Sequence, residues 1–133
     1  MAMEDLRRIL HVEDDDDILQ LVRLSLDMLG GFEVLQCTSG AEALEKAEAF
    51  APDLILIDFM MPDMNGHATL QALRARPSLR DVPAIYMTAK DLRLESDPVL
   101  AGTAIGTIAK PFDAMELPQQ VRALWARRGA VAG

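Results

Sequence analysis

The segment "DLILID", from Asp53 to Asp58, constrains the fold more than any other part of the sequence. Its four central residues are all aliphatic, so the segment has no polar face to present to water. A strand of this kind lies inside a sheet that is covered on both faces, as in parallel α/β proteins. The sequence therefore predicts a central strand with helices on both sides of it.

Strand-like and helix-like segments alternate over the rest of the chain. Further strands are predicted at Arg8–Val12, Glu33–Cys37, Val82–Met87 and Gly106–Ala109. Apolar residues at helical spacing predict helices at Ile18–Leu29, Ser39–Phe50, Gly66–Arg76 and Leu117–Arg128, and a short, interrupted helix around Pro98. Five such βα units predict a flavodoxin-like (βα)5 fold, an α/β doubly wound parallel sheet with strand order 2-1-3-4-5.

The composition is that of one small, acidic domain. The 133 residues are 50% hydrophobic and predict a single domain over residues 1–133, with a core at 7–128 and a short tail at 129–133. The formal net charge of −8 disfavours binding to nucleic acid or to an anionic membrane, so we expect protein partners. No apolar run approaches the ~18 residues of a membrane span. Cys37, the only cysteine, cannot form an intrachain disulfide, and both features predict a cytoplasmic protein.

Polar or charged residues stand at the carboxyl ends of four predicted strands, namely Glu13 and Asp14 after the first, Asp58 after the third, Thr88 after the fourth and Lys110 after the fifth. Because ligands of such sheets gather at the carboxyl ends of strands, we expect these side chains to meet at one rim. Two carboxylates about 4 Å apart repel each other by roughly 4 kcal/mol at an effective dielectric constant of about 20. Lys110 can offset one charge, whereas a divalent cation with oxygen ligands, Mg²⁺ above all, offsets two.

With these residues the chain resembles the receiver domain of two-component response regulators, the family of the single-domain chemotaxis regulator. Four motifs carry the resemblance, in order and each at a strand end: "ILHVEDD", "PDLILIDFMMPDMNG", "IYMTA" and "AGTAIGTIAKPF". The resemblance covers the chain from Arg7 to Arg128. It implies a signalling module that accepts a phosphoryl group from a histidine kinase or a histidine phosphotransfer protein in a Mg²⁺-dependent reaction and then changes its binding to a downstream protein target.

The resemblance also implies roles for the acidic residues of the rim. Asp58 would be the phosphoacceptor, the nucleophile that takes the phosphoryl group from a phosphohistidine. Mg²⁺, or Mn²⁺ in its place, would be bound by Glu13, Asp14, Asp58 and the backbone carbonyl of Met60. In the loop that follows the acceptor, Gly66 is expected to allow a special backbone angle.

Three further residues are implied to handle the phosphoryl group after it arrives. Lys110 would pair with Asp58 and later with the phosphoryl oxygens. Thr88 would donate a hydrogen bond to the phosphoryl group and report its presence to the rest of the fold. Pro111 is expected to follow a cis peptide bond, which places Lys110.

Three positions bear on how long the phosphoryl group survives and how the signal leaves the site. Many receivers carry Tyr or Phe three residues before the Lys, where the ring moves inward on phosphorylation, but this chain has Thr107 at that degenerate switch position. Met60 and Lys90 occupy two sites that modulate phosphoryl lifetime in the family. Since Met60 cannot donate a strong hydrogen bond to orient a water molecule, we expect slow self-dephosphorylation.

The sequence as a whole predicts a stand-alone receiver, since only "GAVAG" follows the last predicted helix. The alternative is a phosphorelay receiver taken from a hybrid histidine kinase or a longer regulator. The protein is not expected to be an enzyme beyond catalysing its own phosphorylation and dephosphorylation. A hydrolase with an aspartyl intermediate is disfavoured because Met60 stands where such enzymes place a second aspartate. A flavin carrier is disfavoured because the first strand leads into acidic residues.

Overall fold

In the computed structural model, which describes residues 6–61, 65–89 and 103–132, the five predicted strands form one parallel sheet. The strands are β1 (Arg8–Val12), β2 (Glu33–Cys37), β3 (Leu54–Asp58), β4 (Ala84–Ala89) and β5 (Gly106–Lys110). Their order is β2-β1-β3-β4-β5, which confirms the predicted flavodoxin-like topology. β4 begins at Ala84 rather than Val82, since Pro83 has no N–H for the sheet and the Val82 amide donates to Leu79 in a turn.

β3 is the central strand and is buried along its whole length. It pairs with β1 on one side and with β4 on the other. None of its residues is more than 3% exposed. The pairing aligns Val12 with Ile57 and Asp58 with Met87, so the carboxyl ends of the three strands lie at one level. The aliphatic run therefore has the burial on both faces that its sequence predicts.

Helices cover both faces of the sheet. Within the described residues they are α1 (Asp16–Val22, continued by a π-helical stretch at Arg23–Leu29), α2 (Gly40–Phe50), α3 (Gly66–Arg74) and α4 (Leu117–Ala132), with a turn of 3-10 helix at Pro77–Leu79. α2 and α3 pack on one face with residues such as Leu10 and Tyr86, whereas α1 and α4 pack on the other with Ile9 and Met87. Neighbouring strand residues thus alternate between two cores, as the pleat of a strand requires. Nowhere in the described ranges does a helix have both the length and the apolar character needed to cross a membrane.

The helices differ from the sequence-based prediction in several places. The second half of α1 is π-helical, and beyond it the Gly30 amide donates to the carbonyl of Ser25, five residues back. α3 ends at Arg74, because a proline that follows shortly disfavours helical angles at the residue before it. α4 continues past its predicted end to Ala132. The interrupted helix predicted around Pro98 lies outside the described residues.

Candidate functional site

The carboxyl ends of β1 and β3 bring two carboxylates side by side. The register that pairs Val12 with Ile57 puts the next residue on each strand, Glu13 and Asp58, next to each other. Glu13 is fully buried and Asp58 is 3% exposed. With the exposed Asp14 they form a group, here called the acidic trio, in which one carboxylate oxygen of each residue lies within 4.8 Å of those of the other two. The structure thus brings together the three carboxylates that the sequence places at the rim.

Burial makes the ionised form of Glu13 costly. It raises the pKa of Glu13 to about 7, an increase to which the charge of Asp58 adds and which Lys110 opposes. The backbone amide of Asp15 donates to Glu13 Oε2 at 3.2 Å and favours the charged form. Three carboxylates close enough to share one cation match the oxygen ligands that Mg²⁺ prefers, and Mn²⁺ accepts the same donors. The acidic trio could therefore hold a divalent metal ion.

Lys110, at the end of β5, reaches both buried carboxylates. Its Nζ lies 3.2 Å from Asp58 Oδ1 and 3.3 Å from Glu13 Oε1. Burial acts to lower the pKa of Lys110, but the two carboxylates outweigh it and raise the pKa above its ordinary value. The peptide bond between Lys110 and Pro111 is cis. The pair with Asp58 is the one implied by the resemblance. Glu13 is a second partner that the sequence does not single out; it follows β1, which lies next to the strand of Asp58.

The remaining acidic residues of the run after β1 serve the start of α1. Asp15 caps the helix, and its Oδ1 accepts the backbone amides of Asp17 at 2.8 Å and Ile18 at 3.2 Å. Asp16 and Asp17 lie in the first turn, where negative charge suits the positive end of the helix dipole. All of them face a cleft of about 680 Å³ whose lining residues are Glu13, Asp14, Asp15, Asp16, Asp17, Asp58, Met60 and Lys110.

The residues next to Asp58 at the end of β3 and at the start of α3 lie close together. The backbone amide of Met60 donates to Asp58 Oδ1 at 3.2 Å, and the Met60 side chain is 62% exposed at the edge of the cleft. The amide of Gly66 donates to the carbonyl of Phe59 at 2.9 Å. A Cβ on Gly66 would collide with the backbone carbonyl of Asp58 and lie 2.9 Å from Phe59 Cα. The glycine is thus required for a close approach of α3, and the predicted special backbone angle is wrong, since its φ is not positive.

Two threonines occupy the positions expected on β4 and β5. Thr88 lies one residue beyond Met87, the partner of Asp58, and is 3% exposed. Thr107 is partly buried and pairs directly with Tyr86. No local sequence signal indicates that Tyr86 faces this position, because the pairing of β4 with β5 is set by the whole sheet. Lys90, predicted to modulate phosphoryl lifetime, lies outside the described residues.

Comparison with known proteins assigns the chain to a family. Residues 9–122 match the family model of the response regulator receiver domain. The transcriptional regulatory protein PrrA of Mycobacterium leprae is 41% identical over 128 residues, which cover 94% of this chain and 52% of that protein. The alkaline phosphatase synthesis transcriptional regulatory protein PhoP of Bacillus subtilis is 36% identical over 129 residues, covering 95% and 51% respectively. The chain spans about half the length of these curated relatives.

Solved structures have the same fold over nearly their whole length. The chemotaxis response regulator CheY4 of Vibrio cholerae matches with a TM-score of 0.78 at 28% identity, covering 90% of this chain and 99% of that one. The receiver domain of the sensor histidine kinase PA1611 of Pseudomonas aeruginosa, solved with a magnesium ion coordinated in its active-site cleft, matches with a TM-score of 0.76 at 29% identity, covering 92% and 99%. Together with the motifs and the site geometry, these matches show that the chain belongs to the receiver domains of two-component response regulators.

Proposed function

We propose that this receiver domain takes a phosphoryl group from a phosphohistidine onto Asp58 in a Mg²⁺-dependent reaction and thereby changes its binding to a protein partner. The donor is a histidine kinase or a histidine phosphotransfer protein. The observation that carries the proposal is the geometry at the rim. One carboxylate oxygen from each residue of the acidic trio lies within 4.8 Å of the other two, and Lys110 Nζ lies 3.2 Å from Asp58 Oδ1.

Asp58 is the nucleophile in this proposal. One carboxylate oxygen forms a bond to phosphorus while the bond from phosphorus to the imidazole nitrogen breaks; the imidazole keeps that electron pair and takes up a proton from water. Lys110 and the Met60 amide both contact Oδ1, which points to Oδ2 as the attacking oxygen. A carboxylate is a modest nucleophile, so the negative charge of the transferred group has to be neutralised by its surroundings.

The groups around Asp58 supply that neutralisation. When bound, Mg²⁺ contributes positive charge beside the phosphoryl oxygens. The acidic trio would hold the metal, together with the backbone carbonyl of Met60. Lys110 offsets the charge of the buried carboxylates before transfer and pairs with the phosphoryl oxygens afterwards. Thr88 adds its hydroxyl as one directed hydrogen-bond donor.

The relatives favour a second candidate function, in which this domain is part of a longer protein. The curated relatives are about twice as long and are named as transcriptional regulatory proteins, whereas one matching structure is the receiver domain of a sensor histidine kinase. The second candidate is accordingly a receiver within a longer regulator or a hybrid kinase, where Asp58 relays the phosphoryl group or controls an attached domain. Whether it acts by itself or within a longer protein, the domain is a signalling module that catalyses only its own phosphorylation and dephosphorylation.

The test is phosphoryl uptake from a small donor. Incubated with Mg²⁺ and phosphoramidate, the parent protein should gain one phosphoryl group by intact-mass analysis, stable in acid and labile in base. Asp58→Asn should gain none, whereas Asp53→Asn, at the opposite end of β3, should be labelled like the parent. Equal labelling of Asp58→Asn and the parent would rule out Asp58 as the acceptor.

A further inference from the structure

Tyr86, the only tyrosine of the sequence, lies fully inside the core next to the acceptor strand. Its ring meets the ring of Phe59 edge to face, with centroids 5.4 Å apart and planes at 81°. Such aromatic pairs are directional, and their contribution goes beyond simple burial of area. The favourable contact of the Tyr86 ring therefore depends on the position of the Phe59 ring.

Phe59 is tied closely to the acceptor. It follows Asp58 in the chain, and its amide donates to the carbonyl of Met87 on β4 at 2.9 Å. Its own carbonyl accepts the amide of Gly66 at the start of α3, again at 2.9 Å. α3 packs so closely here that a Cβ on Gly66 would collide with the backbone of Asp58, which leaves Phe59 little room to move independently of Asp58.

The other end of Tyr86 holds the chain just before β5. Its hydroxyl shares a hydrogen bond of 3.2 Å with Thr103 Oγ1. The carbonyl of Thr103 accepts Arg74 Nη1 at 2.5 Å, and Arg74 Nη2 donates to the carbonyl of Val82 at 2.9 Å. Arg74 is the last residue of α3, so both ends of that helix are connected to the same ring: one through Phe59 and one through Thr103. Burial raises the pKa of the Tyr86 hydroxyl.

We propose that Tyr86 couples the state of Asp58 to the start of β5, through its ring contact with Phe59 and its hydroxyl contact with Thr103. Thr107, directly across from Tyr86 on β5, has no ring that could perform this coupling from its own strand. The two contacts of Tyr86 span the distance from the acceptor loop to the segment that enters β5. This inference rests on the proposed phosphorylation of Asp58.

The test removes the hydroxyl contact and leaves the ring in place. Tyr86→Phe keeps the edge-to-face pair, and Thr103→Val removes the partner hydroxyl at nearly constant volume. In the full chain with Mg²⁺ and phosphoramidate, phosphorylation of the parent should change amide exchange at Ile105 and along β5 by about fivefold, the factor that a single hydrogen bond supplies. In both variants this response should be lost, while phosphoryl uptake stays at the parent level.

A second readout reports on the ring itself. Since the chain has one tyrosine, labelling with 3-fluorotyrosine gives a single ¹⁹F resonance, which should shift on phosphorylation in the parent and also in Thr103→Val, because the ring contact with Phe59 is intact in both. Thr38→Val, which removes another hydrogen-bonded threonine hydroxyl, at the end of β2, should respond like the parent. Normal phosphoryl uptake with an undiminished change of amide exchange along β5 in both Tyr86→Phe and Thr103→Val would overturn this inference alone. Absence of uptake by the parent would overturn the proposed function and this inference with it.

Discussion

Two aspartates, Asp53 directly before β3 and Asp58 at its end, have opposite surroundings. Asp53 and Asp58 flank one run of four aliphatic residues. At the amino end, Asp53 Oδ2 accepts the backbone amides of Arg7 at 3.0 Å and Arg8 at 2.9 Å, so its charge is matched by main-chain donors. At the carboxyl end, Asp58 meets Glu13, a second buried carboxylate, and Lys110. Residue type alone therefore does not decide between a structural and a chemical aspartate; the groups that neighbouring segments bring to it do.

The largest expected effect on stability is at the amino end. Asp53→Ala removes the acceptor of two charge-assisted hydrogen bonds and should lower the free energy of unfolding by about 3 kcal/mol, a value reduced for the partial exposure of the site. Urea denaturation measures this loss, and phosphoryl uptake per folded molecule should stay unchanged. A variant as stable as the parent would mean that water satisfies the amides of Arg7 and Arg8 as well as Asp53 does. The structural role of Asp53, and with it the contrast with Asp58, would then be contradicted.

The fold could be predicted from sequence more fully than the site. Strand positions follow from apolar patterning, because an uninterrupted aliphatic run such as residues 54–57 fits a strand buried on both faces, whereas the strand order is predicted from the flavodoxin-like arrangement of βα units. The identities of Glu13, Asp58 and Lys110 follow from their positions at strand ends and from the family resemblance. Contacts that depend on register do not follow, among them the second partner of Lys110 and the edge-to-face pair of Tyr86. Such contacts join residues far apart in the chain, and no local pattern encodes them.

The second prediction concerns pH and the carboxyl end. Burial raises the pKa of Glu13 from 4.5 to about 7, so the folded protein binds this proton more tightly than the unfolded chain does. The contribution of Glu13 to stability therefore falls as pH rises from about 4.5 to about 7. Burial also lowers the pKa of His11 to about 3, which gives the opposite slope below its ordinary value of 6.5. The difference between Glu13→Gln and the parent cancels the His11 contribution.

In metal-free buffer, Glu13→Gln should gain stability relative to the parent by about 2 kcal/mol between pH 4.5 and pH 7. Asp53→Asn, which leaves the surroundings of Glu13 intact, should lose stability over this pH range as the parent does. Urea midpoints taken at half-unit pH steps give both profiles. Parallel curves for Glu13→Gln and the parent would show that the burial of Glu13 carries no such cost.

The third prediction uses metal to separate the two ends. The acidic trio offers few protein ligands, so Mg²⁺ should bind weakly and keep several waters. A concentration a few times the dissociation constant should stabilise the parent and Asp53→Asn alike by about 1 kcal/mol, and Asp14→Asn by much less. Thermal melting with and without millimolar Mg²⁺ measures the difference. An equal melting temperature of the parent with and without Mg²⁺ would contradict the metal site.

The smallest effect is expected two residues beyond each aspartate, where the contrast is sharpest in burial. Ile55 is fully buried, whereas Met60 is 62% exposed at the edge of the cleft. Met60→Asn should therefore change stability by less than about 0.5 kcal/mol. The side-chain amide introduced by Met60→Asn can orient a water toward the phosphoryl group, which the thioether of Met60 cannot do. Phosphoryl decay should therefore become about threefold faster, a barrier change of about 0.7 kcal/mol. Met115→Asn, at a methionine that is 73% exposed and does not line the cleft, is the matched control and should decay like the parent. Equal decay in Met60→Asn and Met115→Asn would remove Met60 from the control of phosphoryl lifetime and leave its exposure without a chemical role.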